Sequence, residues 1–132
     1  MFDGGRLAPS YARGVPRPFT PEERAVLAEL AKTGPAELAA QLDVAEYGEP
    51  WFSGSQSFNI VVPDSAPAVD LPDGIITTTD RLVRQGGEPT GGVMLWLKDG
   101  RVASYEYYWH TDAMPARQPI PEEIVDWENL FS

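Results

Sequence analysis

Cysteine is absent from this chain of 132 residues, and histidine occurs once, at position 110. Without thiols there is no disulfide scaffold, no thiolate zinc site and no cysteine nucleophile. Positive charge is scarce as well: ten Lys and Arg stand against twenty Asp and Glu, a formal net charge of −10. Such a surface repels nucleic-acid phosphates and anionic lipid, which argues against both as partners, and it favours encounter with basic ones. No apolar run approaches membrane-spanning length and the amino terminus lacks the hydrophobic region of a signal peptide, so the expected compartment is the cytoplasm. What remains suits one domain with a real core: 42% of the residues are hydrophobic, including four Trp, five Tyr and five Phe.

The strongest pattern runs from residue 91 to residue 109. Asp99-Gly100 is the pair a type I′ turn asks for, because both central positions need φ > 0. Its flanks are rich in Val, Leu, Trp and Tyr, which fit a pleated surface. A uniform register from this turn sets Lys98 against Arg101, Leu97 against Val102, Trp96 against Ala103, Leu95 against Ser104, Met94 against Tyr105 and Val93 against Glu106. Glu106 then shares an apolar face with Val93 and Leu95, Tyr105 and Tyr107 share the other with Trp96, and mid-strand Trp96 is expected to be buried.

Residues 1–19 read as a flexible Pro/Gly arm with Arg6, Arg13 and Arg17 against Asp3, leaving residues 20–132 as a single α+β domain. The arm is +2 (three Arg minus one Asp), so the other 113 residues carry −12. Thr20-Pro21-Glu22-Glu23 has the cap, the first-position proline and the capping-box spacing of a helix start, and Gly34 ends that helix. Pro35 opens a second helix to about Leu42. Strands are expected from Val44 to Tyr47, broken by Gly48-Glu49-Pro50, from Ser57 to Val62, and from Ile75 to Val83; residues 85–92 read as a Gly-rich turn. The spaced Pro115, Pro119 and Pro121 suggest an extended strap. Pro121-Glu122-Glu123 then opens a short C-terminal helix with Ile124, Trp127 and Phe131 on one side. The whole predicts an α+β fold: an antiparallel sheet of four or five strands, two N-terminal helices and that last helix.

Catalytic signals are thin. His110 beside Asp112 could orient a general base, yet no Ser or Cys stands in a nucleophile elbow. Glu106 on an apolar face needs a partner, such as Arg81 or Arg84, or a raised pKa. Asp64, Asp70 and Asp73 lack the spacing of a calcium loop, and the glycine pairs 86–87 and 91–92 match no phosphate-binding fingerprint. No catalytic, cofactor-binding or metal-binding residue is therefore assigned.

The stretch from Gly92 through Asp99-Gly100 to Tyr105-Glu106-Tyr107, followed by Asp112, Pro115, Pro119 and Pro121-Glu122, resembles a set of small bacterial proteins of unknown function, many from actinobacteria. Their pattern is a strand, Asp-Gly, a strand ending Leu-Glu-x-Tyr, then Asp and spaced prolines; here Tyr105 stands where Leu is commoner. The likeness extends over about residues 36–124 and implies no activity. In general style the chain is also similar to immunity proteins of polymorphic toxin systems, which are small, often acidic and single-domain. Charge and resemblance together lead to a non-catalytic acidic binding protein, of the immunity type, for a basic protein partner. The candidate contact residues are Trp51 and Phe52 in a Gly-Ser loop, Tyr108 and Trp109 at the hairpin's end, and the acids Asp112, Glu122 and Glu123. Two alternatives stand beside it: a small-molecule binder or enzyme using Glu106, His110 and Asp112, and a homo-oligomer joined through the hairpin or the arm.

Overall fold

In chain order the elements are helices α1 (Pro21–Ala31) and α2 (Ala36–Val44), then strands β1 (Glu46–Pro50), β2 (Phe58–Val61), β3 (Gly74–Ile75), β4 (Arg81–Gln85), β5 (Glu88–Lys98), β6 (Arg101–Trp109) and β7 (Ile124–Val125). They come from a computed structural model that describes residues 15–129. The strands form one antiparallel sheet in the order β1-β2-β6-β5-β4-β7, with β3 pairing β5 ahead of β4. The fold is α+β as expected, but the sheet has seven strands rather than four or five.

The hairpin of β5 and β6 is the centre of the sheet. Asp99 and Gly100 both have positive φ, 51° and 78°, as a type I′ turn requires. Lys98 pairs with Arg101 and Leu97 with Val102; then the register slips, and Trp96 faces Ser104, Leu95 faces Tyr105, Met94 faces Glu106 and Val93 faces Tyr107. Ala103 is the extra residue, a β-bulge that corrects the uniform register. Hydrophobic patterning accounts for it. The bulge turns Tyr105 and Tyr107 onto the buried face with Val93, Leu95, Leu97 and Val102, and turns Glu106 off it.

Both helices cover that face. Val26, Leu27, Leu30, Leu38 and Leu42 join the strand residues in one core, in which the Phe58 ring lies 4.7 Å from Tyr47, 5.1 Å from Tyr105 and 6.0 Å from Phe19. The capping box of α1 forms as read: the Glu23 backbone N–H donates to the Thr20 hydroxyl, and the Thr20 N–H donates to Glu23 Oε1. No helix among the described residues is long and apolar enough to cross a membrane.

Several boundaries move. α2 continues to Val44, so β1 starts at Glu46 and runs through Gly48-Glu49-Pro50. The Thr-rich strand expected from Ile75 to Val83 is split by a 3-10 turn at Thr77–Thr79, because the buried Thr79 hydroxyl donates to Ile76 O (2.6 Å) and accepts from Leu95 N (3.0 Å). Of the expected turn over 85–92, only Gly86 and Gly87 turn, and β5 begins at Glu88. Pro121–Glu123 makes one 3-10 turn instead of an α-helix; β-branched Ile124 and Val125 then pair with β4, and Trp127–Asn129 is another single turn. Phe131 lies outside the described residues. At the other end Phe19 is buried in the core, and Arg17 exchanges two backbone hydrogen bonds with Tyr47. The rest of the arm, residues 1–14, lies outside the described residues.

One buried side chain ties these parts together. Gln41 of α2 is fully buried; its amide donates to Pro67 O (2.7 Å) and Gly100 O (2.8 Å), and its carbonyl accepts from Val102 N (2.9 Å). Gln41→Leu leaves the buried Val102 N–H without its acceptor and takes one donor from Pro67 O and from Gly100 O, the latter still receiving Val69 N, and should lower the urea-unfolding free energy by at least about 1 kcal/mol. Gly100→Val should cost more than about 1 kcal/mol in the same measurement: besides the positive φ, a Cβ there stands 3.1 Å from Ala68 Cβ and 3.2 Å from Val69 O. Unchanged unfolding curves would refute either assignment.

Candidate functional site

Residues 51–57 connect β1 to β2 as a tight, self-bonded loop. Trp51 N donates to Ser57 O (3.1 Å), Ser55 N to Phe52 O (3.0 Å), and the Ser55 hydroxyl both donates to Ser57 O and accepts from Ser57 N (2.9 Å each). Gly54 supplies the positive φ of 81° that closes the turn. Closed by these bonds, the loop holds two large rings in solvent: Trp51 is 41% and Phe52 48% exposed.

These rings form one wall of an open groove of about 1080 Å³ along β1, lined also by Arg17, Tyr47, Pro50 and Asn59. The Arg17 guanidinium sits 3.7 Å from the centre of the Tyr47 ring and is forked onto Glu23, with two N–H···O bonds of 3.0 Å. The hydrogen bond to Glu23 raises the already high Arg17 pKa. Nothing local in the sequence marks Arg17 for this position; its partners are a capping acid six residues on and a tyrosine thirty residues on.

The segment after β6 comes back beside the aromatic loop. Gln118 receives the Tyr105 hydroxyl at 2.8 Å and donates to Gln56 O at 2.8 Å, and Met114 Cε lies 3.5 Å from where a Cβ on Gly54 would stand. Met114 is itself 39% exposed. The fold thus brings Trp51 and Phe52 next to the segment that carries Asp112, and Met114 is a contact candidate that sequence reading missed.

The other candidates have varied settings. Tyr108 is half-buried, its ring laid over Gly92, where any Cβ would collide with it. Trp109 is half-buried at the end of β6, opposite Gly91. Asp112 and Glu122 are exposed. Glu123 is engaged: Arg117 forks onto it at 3.0 and 2.9 Å, and Ile120 N (3.0 Å) and Gln85 (3.3 Å) also donate to it. Those donors, Arg117 first, hold its pKa at about 2, below the usual 4.5.

Glu106 and His110 take separate partners. Glu106 Oε1 accepts from Trp96 Nε1 at 2.9 Å, on the sheet face opposite the helices, and not from Arg81 or Arg84. Arg81 instead meets Asp126 at 2.8 Å and Glu29 at 3.8 Å. Trp96, expected in the core, is half-buried on that outer face with Glu106. His110 is exposed and bonded to Pro89 O at 2.8 Å through Nε2, four residues along extended chain from Glu106, on the order of 13 Å. Neither the groove along β1 nor a smaller apolar cleft of about 240 Å³ between α1 and α2 is lined by Glu106, His110 or Asp112. Among the described residues no group of three or more His, Asp or Glu is placed to hold a metal ion. Comparison of the chain with protein-family models, with curated proteins and with solved structures gives no match.

The Arg117–Glu123 fork generates a prediction. Because the folded-state pKa of Glu123 lies below its unfolded value, the stabilisation is complete above pH 4.5 and is lost as the pH falls through about 2. Glu123→Gln should therefore melt below the parent protein at pH 7, and the gap should close by pH 2. A gap of equal size at both pH values would show that the fork contributes nothing through ionisation.

Proposed function

We propose that the protein is a non-catalytic binding module for a basic protein partner, with the groove beside β1 as its principal contact surface. The observation that carries this reading is the pair Trp51 and Phe52, adjacent large rings held in solvent by a loop closed on itself by hydrogen bonds. Rigid exposed aromatics supply contact area at small entropic cost, and they dominate measured binding hot spots. The formal charge of −10 adds long-range attraction for a basic partner and repulsion of nucleic acid. The general likeness to immunity proteins of toxin systems points the same way, to an inhibitor of a basic toxin.

Within this reading the acids divide. Asp112 and Glu122 are exposed and can steer, whereas Glu123 is forked onto Arg117 and acts structurally. Tyr108 and Trp109, half-buried on the sheet, contribute through their exposed edges. Met114 extends the apolar surface next to Gly54.

The test is affinity capture from the native host with the parent chain and with the Trp51→Ala/Phe52→Ala double variant, followed by binding measurements on the purified partner. The double variant should melt like the parent, since surface substitutions shift stability by only about 0.5 kcal/mol. It should bind at least about 2 kcal/mol more weakly, roughly thirtyfold. Asp112→Asn with Glu122→Gln should mainly slow association, and that loss should shrink as salt rises. A partner that is neutral or acidic, or one that binds the double variant as well as the parent, would refute the proposal.

A further inference from the structure

The helices take one face of the sheet, and the register fixes what stands on the other. Ile75, Trp96, Ser104 and Asn59 form one row across β3, β5, β6 and β2; Met94 and Glu106 form the next; Leu82, Gly92 and Tyr108 form a third. Asp80 directly precedes Arg81, whose partner is Val93, and so it enters the middle row beside Met94, on the side away from Glu106. Met94 and Leu82 are buried under the larger side chains, while Trp96, Glu106 and Tyr108 remain half-exposed and Ile75 and Asn59 exposed.

The middle row holds two carboxylates and no cation. Glu106 spends Oε1 on the Trp96 indole and makes no ion pair among the described residues. Asp80 Oδ1 is buried with no hydrogen-bond partner, a costly state for a carboxylate oxygen. The nearest cation in sequence, Arg81, turns to the helix side, to Glu29 and Asp126. Burial pushes the Tyr108 hydroxyl pKa up and the Asp80 and Glu106 charges add to it, which agrees with both acids lying around that phenol. The floor between them is aromatic and thioether: Trp96, Tyr108 and Met94.

We propose that this face seats the guanidinium of an arginine from the basic protein partner, stacked on the Trp96 and Tyr108 side and bridging Asp80 and Glu106. The inference rests on the reading above for the source of the arginine; the chemistry of the seat is read from this face alone. The choice of arginine over lysine is geometric. Asp80 and Glu106 are two strand spacings apart, about 9.6 Å at the backbone. A planar guanidinium carries donors on opposite edges and stacks on rings, so it can bond both acids at once; an ammonium is a point charge that must favour one.

The experiment titrates N-acetyl-arginine methylamide into the full-length, ¹⁵N-labelled protein and follows the Trp96 indole N–H, assigned through Trp96→Phe. A saturable shift is expected, roughly tenfold weaker with the uncharged citrulline analogue and in Glu106→Gln, whose amide oxygen still receives the indole. Asp80→Asn should weaken it similarly, and Glu106→Gln keeps the test valid if the Asp80 variant fails to fold. A shift that does not saturate, equal binding of citrulline or lysine analogues, or undiminished binding in Glu106→Gln would overturn the seat. The two readings fail separately. Loss of partner binding in the Trp51/Phe52 variant with no arginine response at Trp96 would remove the seat and leave the module; an arginine response with no effect of that variant would do the reverse.

Discussion

β6 carries one residue more than the stretch of β5 that it faces, and the surplus sits at Ala103. Without it the side chains beyond Val102 would alternate in the opposite sense, giving Ser104 and Glu106 to the core and Tyr105 and Tyr107 to solvent. An unpaired carboxylate in an apolar core costs several kcal/mol, whereas two tyrosine rings bring a large buried area. The bulge resolves that conflict within one residue. It also determines the outer face, because the same slip sets Trp96, Glu106 and Tyr108 on one side, where the indole can donate to the carboxylate.

A sheet bent and interrupted in this way leaves gaps in its backbone ladder, and three buried polar side chains fill them. Val102 N, next to the bulge, donates to Gln41; Leu95 N, where β3 gives way to β4, donates to Thr79; Tyr107 N, beyond the start of β2, donates to Ser57. Each is a strand N–H that has lost its neighbour and is satisfied from a helix, a 3-10 turn or a loop. These substitutions allow strands as short as β3 and β2 to stop where they do. They also explain why polar Gln41, Thr79 and Ser57 are among the most buried residues of the chain.

Much of the fold could be read from short-range chemistry. The capping box at Thr20 and Glu23, the helix stop near Gly34 and the Asp99-Gly100 turn depend on residues within a few positions of each other, and each formed as read. The failures share a different cause. The bulge at Ala103, the break at Thr79 and the pairing of Ile124-Val125 with β4 are decided by partners 8 to 43 positions away, where local propensity has no say. The candidate site divides along the same line. Trp51 and Phe52 lie between turn residues and their exposure was legible; Arg17, Asp80 and Met114 enter only through tertiary neighbours.

The electrostatics bear on why two surfaces could serve one partner. Arg17, Lys32, Arg81, Arg101 and Arg117 are each spent on an acid of the same chain, so the internal pairing leaves an excess of carboxylates facing outward. Charge of that kind is diffuse: it draws a basic partner to the molecule without choosing a point of contact. Choice has to come from shape and from fixed donors and acceptors. The groove beside β1 has rings, with Arg17 and Glu49 also in its lining; the outer face has carboxylates held by, or packed near, rings. Asn59 belongs to both, lining the groove and standing in the row with Ser104 and Trp96. On the proposed reading, apolar side chains of the partner would lie against Trp51 and Phe52 and a basic one against Glu106.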